Sequence, residues 1–188
     1  MLGIVMLGES NSGKSTIAHK VIDKLAKEHD INMRYISTGD IARRITTDDR
    51  LNEGKMADET TMRVEIIKEI RKSESSFILD GCPRFTDQYY WMADAFRGVR
   101  FIYEAIQVPY YQIIERSRKR GRDDDGAIIT KHQYFYDNTL PMIQQIFRDG
   151  NEIYLHHNPD NTDLDNLVDN MLKAILKAEA EEDEDSRI

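Results

Sequence analysis

Hydrophobic positions along the chain alternate between short unbroken runs and stretches at helical spacing. Leu2–Leu7 is nearly continuous apolar sequence, the pattern of a strand buried on both faces. Ser15–Glu28 then places Ile17, Ala18, Val21, Ile22 and Leu25 on one helical stripe. A second strand is expected over Met33–Ser37, a short helix over Ile41–Ile45 and a loop over Thr46–Gly54. Asp58 is positioned to cap a helix reaching about Lys72, with Met62, Ile66, Ile67 and Ile70 on its apolar face. Ser76–Asp80 predicts a third strand, Asp87–Arg97 a helix and Val99–Val108 a fourth strand, after which Pro109 opens a helix to Arg120. Beyond the polar turn Gly121–Gly126, one helical segment is expected from about Ile128 to Arg148, stopped by Gly150. Glu152–Leu155 is the fifth strand and Leu164–Lys177 the last helix. Short apolar strands alternating with helices predict an α/β fold, a five-stranded parallel sheet with helices on both faces.

Composition narrows the class. A chain of 188 residues, 40% hydrophobic and 32% charged, suits one globular domain and not a disordered segment. The single cysteine excludes an internal disulfide framework and a cysteine-based zinc site. No apolar run approaches the roughly 20 residues that span a bilayer. The start, MLGIVMLGES, lacks the basic leader of a secretory signal, so the expected compartment is the cytoplasm. A formal net charge of −8 argues against nucleic-acid polymers and anionic membranes as partners. Six acids and one arginine within residues 179–188 supply −5 of that charge. They form an acidic tail, expected to be disordered, after a single domain over residues 1–178.

Candidate chemistry begins at Gly8-Glu9-Ser10-Asn11-Ser12-Gly13-Lys14-Ser15, followed by Thr16, which fits G-x-x-x-x-G-K-[ST] between an apolar strand and an amphipathic helix. Small residues and glycines let successive N–H groups curl around a phosphate. Lys14 adds a compact cation, the Ser15 hydroxyl can ligate Mg²⁺, and the helix that starts here would point its positive end at the anion. This is a nucleoside triphosphate site on a P-loop NTPase fold. The chain lacks the N-K-x-D guanine motif of GTPase switches and the length of a motor, which leaves a small phosphotransferase.

Three further segments accompany the loop: Ile36-Ser37-Thr38-Gly39-Asp40-Ile41-Ala42-Arg43, Leu79-Asp80-Gly81-Cys82-Pro83-Arg84 with Gln88 after it, and Arg116 to Asp125, which contains Arg120, Gly121 and Arg122. Together, over roughly residues 2–178, they resemble the motifs of the adenylate kinase family of nucleoside monophosphate kinases. The resemblance implies that Gly8, Asn11, Ser12, Gly13, Lys14, Ser15, Thr16, Arg116 and Arg120 bind ATP. It implies an acceptor site of Thr38, Arg43, Met56, Ala57, Gly81, Arg84, Gln88, Arg122 and Lys131, within an acceptor-binding segment of about 39–72. Lys14, Arg84, Arg116, Arg120 and Arg122 would surround the moving phosphoryl group. Ser15 and, through water, Asp80 would place Mg²⁺. Asp124 and Asp125 would support a minimal lid of about 120–126.

The implied reaction joins MgATP to a nucleoside monophosphate, with AMP favoured because Gln88 matches the adenine-reading position. Phe85 stands where pyrimidine-specific relatives carry Asn. UMP, CMP or a deoxynucleotide as acceptor, and a nucleotide-binding regulatory protein with weak catalysis, are the alternatives. A monomer is expected. Departures from the family pattern are the loop's Glu9-Ser10-Asn11-Ser12, Cys82 in place of an aromatic, and Lys131 in place of an arginine. Cys82 is read as a small buried residue, His156-His157 as a surface or core-edge pair, and Tyr89-Tyr90-Trp91 and Tyr134-Phe135-Tyr136 as core packing.

Overall fold

The computed structural model describes residues 1–185 apart from 48, 52, 54, 122–126 and 159–163. In chain order its elements are β1 (Leu2–Leu7), α1 (Lys14–His29), β2 (Arg34–Ser37), α2 (Thr38–Ile45), α3 (Glu59–Arg71), β3 (Phe77–Asp80), α4 (Thr86–Ala95), β4 (Arg100–Gln107), α5 (Tyr110–Arg120), α6 (Ile128–Tyr134), α7 (Leu140–Arg148), β5 (Ile153–His157) and α8 (Leu164–Asp185). The strands pair in parallel in the order β2-β3-β1-β4-β5, the α/β sheet that the pattern predicts.

All six residues of β1 are buried, because apolar layers cover both faces of the sheet. Leu2, Ile4 and Met6 pack with Ile17, Val21 and Leu25 of α1 and Val168, Met171 and Ile175 of α8. Val5 and Leu7 join the opposite layer, with Ile66 and Ile70 of α3, Met92 of α4, and Met142 and Ile146 of α7. A period of two on a strand thus serves two cores at once, which leaves no polar position in the run. The connection leaving β1 crosses to β2 on one side, while that leaving β3 crosses to β4 on the other. A crevice opens at the C-terminal ends of β1 and β3, where these connections diverge.

Three expectations are corrected. The segment 128–148 is not one helix: a π-helical turn, Phe135–Thr139, separates α6 from α7. Pro141 lies in the first turn of α7, and its ring would meet the carbonyl of Asp137 in an unbroken helix; the widened turn sits at that place. The last helix does not stop at Lys177, since α8 continues to Asp185. Ser76 Oγ hydrogen-bonds Glu179 Oε1 at 3.3 Å, and Arg100 pairs with Glu181 at 2.6 Å, which anchors the acidic turns to the N-terminal ends of β3 and β4. The aromatic groups divide. Tyr89 and Trp91 are buried, but Tyr90 and Tyr136 are half exposed.

Cys82 is buried as expected, and burial pushes its thiol well above the usual range. His156 lies at the core edge while His157 is exposed. His156 Nε2 meets Glu104 Oε2 at 2.5 Å, inside a strand read as apolar, and Glu104 is fully buried with its other oxygen unpartnered. Burial raises the Glu104 carboxyl and the His156 contact opposes it. Among the described residues no helix is long and apolar enough to cross a membrane.

Candidate active site

The chain between β1 and α1 curls because three of its residues take left-handed backbone: Gly8 (φ 138°), Asn11 (φ 65°) and Gly13 (φ 96°). Asparagine is among the few side chains that tolerate that region. A side chain on Gly13 would be strained by its φ of 96°, and a Cβ there would lie 2.9 Å from Asn158 Nδ2. Lys14 folds back over the loop and donates to the carbonyls of Gly8 (2.9 Å) and Glu9 (2.6 Å). Burial holds its ammonium below the ordinary lysine value, with the charges of Asp80 and Glu9 opposing.

Two distant segments brace the loop from outside. Arg116 on α5 donates to the carbonyls of Ser12 (3.2 Å) and Asn158 (2.9 Å) and to Gln112 Oε1 (3.2 Å). The Glu115 carboxylate next to it takes Lys119 instead, so the helix face presenting Arg116 is turned to the loop. Asn158, buried just after β5, donates its amide to Ser12 O at 3.0 Å and its N–H to Gln107 O at 2.9 Å.

Across the crevice, the end of β3 is built with equal closeness. Gly81 has φ 92°, and a Cβ on it would fall 2.6 Å from Thr38 Oγ1. Thr38 donates to Asp80 O (2.9 Å), Arg84 Nε to Gly81 O (2.7 Å), and Thr139 Oγ1 to Arg84 O (2.8 Å). Gln88 is buried and its amide has one possible orientation. Oε1 accepts from Arg84 N–H (2.7 Å), and Nε2 donates to Glu59 Oε2 (2.7 Å), a carboxylate that also accepts from Trp91 Nε1 at 3.1 Å. Arg43 is more exposed and pairs with Asp40 at 2.5 Å.

These walls enclose a cleft of ≈ 570 Å³, ample for a small-molecule ligand. The cleft brings together Gly8, Asn11, Gly13, Lys14, Ser15, Thr16, Thr38, Arg43, Met56, Ala57, Asp80, Gly81, Arg84, Gln88, Arg116, Arg120 and Lys131. Ser12 is buried behind the wall, its hydroxyl 3.4 Å from Lys14 Nζ. Arg122, Asp124 and Asp125 lie outside the described residues. Tyr134 and Phe135, read as core packing, line the cleft instead. Sequence reasoning assigned no role to the side chains of Glu9, Tyr35, Glu59 and His132, each of which holds a neighbour.

Tyr35 donates to Asp80 Oδ2 at 2.8 Å, and burial together with that carboxylate pushes its phenol up, so it stays a donor. Oδ1 has no hydrogen-bond donor among the described residues, and Ser15 lines the same cleft. A hydroxyl and a carboxylate oxygen are the hard ligands that Mg²⁺ takes beside water and phosphate, so this donor set fits the ion.

A family model described as an AAA domain matches residues 7–128. Curated relatives named adenylate kinase include one from Corynebacterium diphtheriae, 30% identical over 75% of this chain and 83% of the relative. One from Corynebacterium urealyticum is 30% identical over 74% of this chain and 83% of the relative. Another, from Mycobacterium sp. (strain MCS), is 28% identical over 74% and 83%. With a phosphate loop, a parallel sheet and this coverage in hand, the chain belongs to the adenylate kinase-like family.

Proposed function

We propose that the protein is a nucleoside monophosphate kinase that moves the γ-phosphoryl group of MgATP to AMP, giving two ADP. The observation that carries this reading is the convergence of Lys14, Arg84, Arg116 and Arg120 on one cleft, with Asp80 among them. Phosphoryl transfer needs alignment and positive charge around the moving group and no covalent protein nucleophile. The donor's phosphates would lie in the loop under Lys14, with Arg116 and Arg120 beside them. The acceptor's phosphate would meet Arg84 and Arg43, and its base would reach toward Met56, Ala57 and Gln88. Ser15 and, through water, Asp80 would hold Mg²⁺, which would supply positive charge against the donor's phosphates. Arginines suit this place because a planar guanidinium binds two phosphate oxygens and stays charged.

AMP is the proposed acceptor because Gln88, locked by Glu59 and Arg84, offers a donor and an acceptor side by side, the complement of adenine's N1 and 6-amino group. A panel of nucleoside monophosphates assayed at fixed MgATP with coupled detection of ADP tests this. AMP is expected to have the highest kcat/KM. Preference for UMP, CMP or a deoxynucleotide corrects the acceptor, and ATP binding with no transfer to any of them overturns the kinase reading.

A further inference from the structure

The phosphate loop carries a carboxylate, and the chain places a histidine on it from 123 residues away. Glu9 Oε2 lies 2.6 Å from His132 Nδ1 on α6, with side-chain exposures of 10% and 23%. A carboxylate has no proton to give, so the proton in this bond belongs to Nδ1. The imidazole is fixed on its other sides: it stacks on Tyr110 of α5 at 3.7 Å, and the ring of Tyr136 meets it edge-on at 4.7 Å. Glu9 is also the residue whose carbonyl receives Lys14 Nζ, and its charge is felt at that ammonium. A negative side chain one residue into a polyphosphate-binding loop opposes the ligand unless something holds and offsets it.

We propose that His132 is a positioning residue for donor binding: it holds the Glu9 carboxylate away from the donor's phosphates and, through its stack on Tyr110, ties α5, which carries Arg116 and Arg120, to the phosphate loop. The proposal rests on the reading that ATP occupies this loop. It separates the two sides of the cleft. Loss of His132 leaves a buried carboxylate without its partner beside Lys14, which weakens ATP, while the acceptor wall of Arg84, Gln88 and Glu59 is untouched.

The test is a set of four proteins beside wild type: His132→Ala, His132→Asn, Glu9→Gln and the double variant Glu9→Gln/His132→Ala. Direct ATP titration and the KM for each substrate are measured. His132→Ala is expected to weaken ATP about tenfold or more and to leave the KM of the acceptor within about twofold. His132→Asn retains an N–H for Glu9 and is expected to recover most of the affinity. The double variant removes the stranded charge and is expected to bind ATP within about threefold of wild type. If the double variant is as weak as His132→Ala, the role is merely structural and the proposal fails. A KM that rises equally for both substrates, or ATP affinity unchanged in His132→Ala, overturns it too. A wild-type protein that does not bind ATP overturns the functional reading, and the proposal with it.

Discussion

The two walls of the cleft hold their cations differently. On the loop side, Lys14 rests on the carbonyls of Gly8 and Glu9, and Arg116 on those of Ser12 and Asn158. On the other side Arg43 is tied to the Asp40 carboxylate, and the base end of the wall is ordered by a second carboxylate, Glu59. A carbonyl orients a cation and leaves its charge uncancelled, whereas a carboxylate cancels most of it. Lys14 is therefore already pointed at an incoming polyanion, with no carboxylate paired to it among the described residues. The opposite wall is a shape, and Arg43 would have to exchange its Asp40 partner to take a phosphate. Arg84 is intermediate, held by Gly81 O at 2.7 Å and with no carboxylate partner among the described residues.

This contrast is open to attack in order of expected effect. Lys14→Ala removes the loop's ammonium and is expected to lower kcat about 10²–10³-fold with folding intact, as read by a coupled assay beside circular dichroism. Activity close to wild type would mean that the loop charge is idle. Arg84→Ala should cost about 10²-fold, and Arg84→Lys about tenfold, because lysine restores the charge and not the planar fork; equal losses in both would point to packing. Glu59→Ala frees the Gln88 amide to rotate and is expected to raise the acceptor KM about tenfold while the ATP KM stays constant. A shift in the ATP KM instead would erase the division between the walls. Tyr35→Phe is the mildest change. It removes one hydrogen bond from Asp80 and should lower kcat about threefold, with a larger Mg²⁺ requirement visible in a metal titration.

The parts that were legible in the sequence are those with a local signal. The six apolar residues of β1, the stripe on α1 and the spacing from Gly8 to Ser15 each declare themselves within a dozen positions. Asp58 capping α3 through Thr61 N at 2.8 Å is another such case. What was missed depends on distant pairing. Glu9 and His132 are separated by 123 residues, and Tyr35 and Asp80 by 45. Nothing near any one of them announces its partner. Glu104 shows the same limit inside the core, since a charged residue in a buried strand is answered by His156 from the next strand. The break at Phe135–Thr139 was hidden because residues on both sides of Pro141 continue the helical period.

Asn158 and Arg116 join the loop after β1 to the end of β5, the last strand of the chain. The braced form of the loop thus depends on β1 and β5 both being in the sheet, and a nucleotide bound in it would favour the completed fold. Ligand present at about 100 times its Kd would then raise the unfolding free energy of the whole molecule by about 2.7 kcal/mol. A melting curve followed far from the cleft would register the nucleotide as clearly as one followed beside it.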